Sequence, residues 1–287
     1  SDSTVSSRST DETLPCNERQ WEACEEVLLD ERMKYARKQT KFNWPQELEL
    51  GVKSYEKYFF LLYPQQTIPQ MLEETNKILL EQRRRQLTKG EFFRWLGIRL
   101  AMSVDPIRGG LKNYWEEAEE GTVDTSRHFT ARFHMGRHRF QNISSAFRLV
   151  EVNHDTVIDP WCPIRDFVEQ FNLRRQTVIT PGEILVVDEC MSGWDGQELR
   201  YHHKGIPHLT KIPRKPVSVG VEMKAIADGN TGILMGLEIK EGKVRQQQKK
   251  YHEELGEGTA VVVRLASPWK CLGKTIVADS AFSSVKT

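Results

Sequence analysis

The chain has 287 residues, a formal net charge of +1 at pH 7 and 38% hydrophobic residues. That allows one large or two ordinary domains, each with its own core, and excludes a bulk polycation, so a nucleic-acid surface must arise from local segregation of charge. The longest apolar or aromatic run, 58–63, is far short of the roughly 20 residues of a membrane-spanning helix, and no membrane partner is expected.

Residues 1–15 are rich in Ser, Thr, Asp and Glu and hold almost nothing to bury, which predicts a disordered tail. No basic-then-apolar leader is present, and an intracellular location is expected. A helical leader over 16–50 follows, with a helix over 17–40 interrupted at Phe42, Asn43, Trp44 and Pro45. The five cysteines, Cys16, Cys24, Cys162, Cys190 and Cys271, are odd in number and never in a Cys-x-x-Cys pair, which argues for free thiols over a disulfide framework or zinc site.

From 54 to 150 apolar residues recur at helical spacing, predicting an all-helical domain over 51–160. Thr88, with Glu91 three residues on, has the form of a capping box. The helix it opens should bury Phe92, Trp95, Leu96, Ile98 and Leu100. A further helix over 126–149, with Ser126 as N-cap, carries Phe129, Phe133, Phe140, Ile143 and Phe147.

After Pro160 comes one more helix over 164–173, and then the pattern turns α/β, with the change placed between Pro160 and Pro181. Strands are predicted over 184–188, 218–227, 233–239, 260–265 and 275–279, and a helix over 244–255. The segment Asp228, Gly229, Asn230, Thr231 suits a tight hairpin turn. Two of the strands are apolar, β-branched runs whose last residue is an aspartate: Asp188, followed by Glu189, and Asp279. A carboxylate at the end of a buried strand is costly unless it is paired or binds a cation. Two such strands side by side bring both acids to one sheet edge, where hard divalent cations find oxygen ligands. With 260–265 set aside as an additional edge strand or an irregular connection, the order between the aspartates is β-β-β-α-β, that of RNase H-like nucleotidyltransferases.

A more specific resemblance lies in the residues themselves. Val187, Asp188, Glu189 and Met191; Gly193, Trp194, Asp195, Gly196 and Gln197; Ile212, Pro213, Arg214, Lys215 and Pro216; and Gly220, Val221, Glu222, Met223 and Lys224 together resemble the piggyBac transposase pattern. Asp279, Ser280, Ala281, Phe282, Ser283 and Ser284 are similar to that family's second-aspartate motif. Upstream, Phe92 to Ile98 and the set Met135, Arg139, Phe140 and Ile143 resemble its dimerisation and DNA-binding region. The turn departs from the family in carrying Asp195 where a basic residue is usual.

The resemblance implies an RNase H-like catalytic domain over 161–287, incomplete because the family's third aspartate lies downstream of residue 287. It also implies cut-and-paste excision and integration at TTAA sites by two-metal phosphoryl transfer, with Mg²⁺ or Mn²⁺ held by Asp188 and Asp279, a DNA partner, a homodimer and a nuclear location. The alternative is a domesticated, catalytically inert DNA-binding or scaffolding protein that keeps the fold.

Between the acids, Arg200, Lys204, Lys211, Arg214, Lys215 and Lys224 stand against one acid, Glu222, a candidate surface for DNA phosphates. Residues 83–85 and 137–139 are weaker candidates, and the arginine run 83–85 reads equally as a solvated helix end. Glu189 should face away from Asp188, because strand side chains alternate, and His202 and His203 read as solvated or phosphate-facing for the same reason.

Overall fold

The computed structural model describes residues 39–46, 54–107, 110–116, 128–151, 159–194, 207–213 and 215–282. Residues 44–178 form one compact unit; 39–43 and 179–282 form the other. Residues 1–15, expected to be a disordered tail, most of the helical leader expected over 16–50, and Cys16, Cys24 and Ser126 lie outside the described residues.

The first unit is helical. Helix α1 is Tyr55–Leu62, opened by Ser54, whose hydroxyl accepts from the Lys57 amide at 3.3 Å. Helix α2 is Ile68–Glu81, with Pro69 in its first turn, where no amide is needed. Helix α3 is Lys89–Val104, and Thr88 caps it as the spacing predicts, accepting from the Glu91 amide at 3.2 Å. The second half of the capping box is put to another use. Glu91 receives Arg139 through both oxygens, at 2.8 and 2.6 Å, and Arg85 at 2.6 Å. Burial works against the Glu91 charge, but these guanidinium groups outweigh it and hold the carboxyl below its ordinary range.

The helix expected over 126–149 is two: α4, Phe129–Phe133, and α5, Arg137–Ala146. His134, in the left-handed region at φ 51°, separates them. Phe92, Trp95, Ile98, Phe129, Phe140 and Ile143 join Met71 and Leu79 in one core, with Leu96, Phe133 and Phe147 packed against it. Leu100 departs from expectation: it is 49% exposed, on the solvent side of α3. Helix α6 is Cys162–Val178, longer than the periodicity showed. Its Arg174 and Arg175 donate to the Leu61 and Leu62 carbonyls at 2.7 and 2.9 Å, covering acceptors that the end of α1 leaves open.

The second unit is a mixed sheet. Short strands β1, Lys41–Phe42, and β2, Ile179–Thr180, pair antiparallel. The main sheet is built on β3, Ile184–Gly193. Strand β4, Thr210–Lys211, and strand β6, Leu234–Ile239, pair with the beginning and end of β5, Val219–Asp228. Strand β5 runs antiparallel to β3, and β7, Thr275–Ala278, runs parallel to it on the other side. The β5–β6 turn is closed by Asp228, fully buried, which accepts from Thr231 N–H, the Thr231 and Thr40 hydroxyls and Gly182 N–H at 2.6–2.9 Å. Gly232, at φ +71°, completes the turn.

Two predicted elements differ. The run 260–265 is not a strand but part of helix α9, Glu257–Ala266. Ala260, Val261 and Leu265 face the sheet and Arg264 joins Glu238 on β6, a spacing that a helix satisfies and a strand does not. Strand preference of β-branched residues yields to that burial. The helix expected over 244–255 is two short pieces, α7, Lys243–Gln247, and α8, His252–Leu255, with Tyr251 at φ 67° between them. The crossover from β6 to parallel β7 therefore packs α9 on the sheet, and the order β3, β5, β6, helix, β7 is the RNase H-like arrangement.

Candidate metal centre

Strands β3 and β7 are parallel with Val187 opposite Ala278, so Asp188 and Asp279, one step further along each, arrive side by side. Strand β7 stops there while β3 continues to Gly193, paired only with β5 among the described residues. The acids thus stand where the sheet edge opens, and both are exposed. Asp188 accepts from the Glu189 amide at 2.7 Å, and Asp279 from the Ala281 amide at 2.9 Å.

The burial of Leu185, Val187 and Glu189 against exposed Asp188 follows the expected alternation. Even so, the Glu189 carboxylate is not remote: oxygens of Asp188, Glu189 and Asp279 all lie within 4.8 Å of one another. The extra methylene of glutamate lets it reach back to the open edge. Alternation alone hid this residue, and the adjacent Asp-Glu pair was the signal for it. Lys215 pairs with Glu189 at 3.3 Å. Burial disfavours the Glu189 charge, but Lys215, hydrogen bonding with Asp188 and the Lys224 charge hold its carboxyl below the ordinary range.

Three hard oxygen donors at one edge fit a magnesium- or manganese-type cation. The nearby thiol does not compete: burial and the Asp188 charge push Cys190 above its ordinary value, away from the thiolate a soft metal or a nucleophile requires.

The predicted basic surface divides. Arg200, Lys204 and Arg214 lie outside the described residues, as do His202, His203 and Asp195. Lys211 is exposed on β4. Lys224 points inward, its side chain 13% exposed, with its ammonium 2.7 Å from buried Glu222, which also holds Lys240 at 2.6 Å. In the helical unit, Arg139 is engaged with Glu91 and with the Arg85 and Gln86 carbonyls at 2.7 and 2.9 Å, a structural bond and not an open cation.

No curated protein matches the chain. A solved piggyBac transposase, in a synaptic complex with hairpin DNA, matches with a TM-score of 0.66 at 20% identity, over 86% of this chain and 49% of that one. The chain therefore spans about half the length of that transposase and shares its fold. A family model described as Transposase IS4, one of the DDE transposases, matches residues 55–287. The chain belongs to this DDE transposase family.

Proposed function

We propose that the chain forms part of a cut-and-paste DNA transposase of the piggyBac type, with Asp188 and Asp279 as the acids that hold divalent cations, Mg²⁺ or Mn²⁺, and Glu189 as a third carboxylate within reach. The observation that carries the reading is the parallel β3–β7 register, which sets Asp188 beside Asp279 at an open sheet edge. When bound, the cations would stabilise the charge of an in-line phosphodiester displacement.

The chain's own residues supply the frame for that reaction. Asp188 is held on the central strand and Asp279 on a turn, so the two acids approach a bound phosphodiester from different elements. Arg200, Lys204, Lys211, Arg214 and Lys215 neutralise backbone phosphates without reading sequence. Excision and integration at TTAA sites, action as a homodimer and a nuclear location belong to the same reading.

The test is Mn²⁺ titration of the 287-residue chain by calorimetry, alongside Asp188→Asn and Asp279→Asn. Each substitution should weaken binding by more than the roughly 10- to 100-fold seen when a residue that merely supports a metal ligand is lost. Affinity unchanged in both variants would remove the metal-site assignment. Metal-dependent cutting of a TTAA-flanked DNA end then separates a working transposase from an inert descendant.

A further inference from the structure

We propose that Lys224 is a positioning residue for the second aspartate, holding the Asp279 turn against the sheet through the ring of Phe282, and not a contact to DNA phosphate. The proposal rests on the reading of Asp279 as a metal ligand.

Asp279 is carried by a turn, since β7 ends at Ala278. Within that turn, the Ala281 amide donates to the Asp279 carboxylate at 2.9 Å and the Phe282 amide to the Asp279 carbonyl at 3.1 Å. These bonds set the carboxylate relative to its own turn. The position of the turn against the sheet is a separate matter, and Phe282, 3% exposed, provides it. The Lys224 ammonium lies 4.9 Å from the centre of that ring, an attraction that grows as water is excluded.

Lys224 is well placed for the task. It sits on β5 directly opposite Glu189 of β3, so one residue links the strand carrying two acids to the turn carrying the third. Glu222, itself buried, fixes the ammonium at 2.7 Å. On α9, Gly258 completes the seat: a Cβ there would collide with the Ala281 carbonyl oxygen and come within 3.1 Å of Phe282 Cα. A phosphate contact, by contrast, needs an ammonium that solvent and DNA can reach.

The test compares Lys224→Ala, Lys224→Arg, Phe282→Leu and Gly258→Ala in the 287-residue chain. The first readout is hydrogen exchange of the Ala281 and Phe282 amides without metal; the second is Mn²⁺ affinity. Lys224→Ala and Phe282→Leu should each speed exchange and weaken Mn²⁺ binding by about tenfold, with the double variant no worse than either single one. Lys224→Arg, which keeps a cation over the ring, should retain both properties. Gly258→Ala should reproduce the loss from the other side of the turn with Lys224 intact, which keeps the test decisive if Lys224→Ala does not fold.

The proposal is overturned if Lys224→Ala exchanges and binds Mn²⁺ like the parent while the salt slope of its metal-free DNA binding falls by about one, the mark of a lost phosphate contact. If the parent chain binds no Mn²⁺, the metal reading falls by itself, and amide exchange still decides whether Lys224 holds the turn.

Discussion

The helical unit and the sheet unit use charged side chains for different ends. In the helical unit, Arg139, Arg174 and Arg175 turn their guanidinium groups to main-chain carbonyls at helix and loop ends, while the interior is a cluster of aromatic rings such as Trp95 and Phe147, 4.7 Å apart. In the sheet unit buried acids gather cations, Glu222 with Lys224 and Lys240 and Glu238 with Arg264 and Lys249, while Lys249 and Arg264 also reach the Ile239 and Lys250 carbonyls and Asp228 is held by amides and hydroxyls. A helix leaves its last carbonyls open, and one arginine can cover two of them; in the sheet unit a cation meets a carbonyl at a strand end, as Lys249 does at Ile239. Against this background of matched acids, Asp188 and Asp279 form an exposed acidic pair at the open sheet edge.

Substitutions in the two units should differ in size and in pH dependence. The largest loss should come from the aromatic core: Phe92→Ala should cost about 3–5 kcal/mol in urea unfolding, by nearly the same amount at about pH 7 and about pH 4, because no proton is involved. Next, Asp228→Ala leaves the Gly182 and Thr231 amides without their acceptor and should cost about 3 kcal/mol, on the scale of 1–3 kcal/mol for a buried unsatisfied group. A loss under about 1 kcal/mol there would show that the Asp228 carboxylate is not what holds the hairpin turn.

A smaller effect with a distinct signature is expected at Glu238. Burial opposes its charge, but Arg264 and Lys249 outweigh burial and hold the carboxyl below its ordinary range. Since the folded value lies below the unfolded one, the stability from this group is present above the unfolded value and is lost as pH falls through the depressed folded value. Glu238→Gln should therefore be less stable than the parent near neutrality, with the gap closing in acid; a gap that persists at low pH would assign the loss to packing. The smallest change belongs to the solvent face of α3, where Leu100→Gln should shift stability by no more than about 0.5 kcal/mol.

The sequence alone determined the features that depend on neighbours along the chain. Thr88 caps a helix because its partner is three residues away, the Asp228 carboxylate meets the Thr231 amide because that donor is local, and Asp188 and Asp279 each follow a continuous apolar β-branched run, although β3 goes on to Gly193 and Asp279 stands just past the end of β7. The order of the strands that bear and separate the two aspartates followed from those runs; that β3 and β7 lie side by side is set by their register.

The tertiary structure decided whatever depended on which surface an element meets. Residues 260–265 carry a strand-like composition but become helix because Ala260, Val261 and Leu265 cover the sheet together and Arg264 reaches Glu238. Leu100 keeps the helical period yet lies on the wrong side of it. Glu189 and Lys224 were assigned by rules of alternation and charge, yet one reaches the acidic edge and the other turns inward to Glu222 and Phe282. Register between β3, β5 and β7 makes those contacts, and register is a property of partners far apart in the chain.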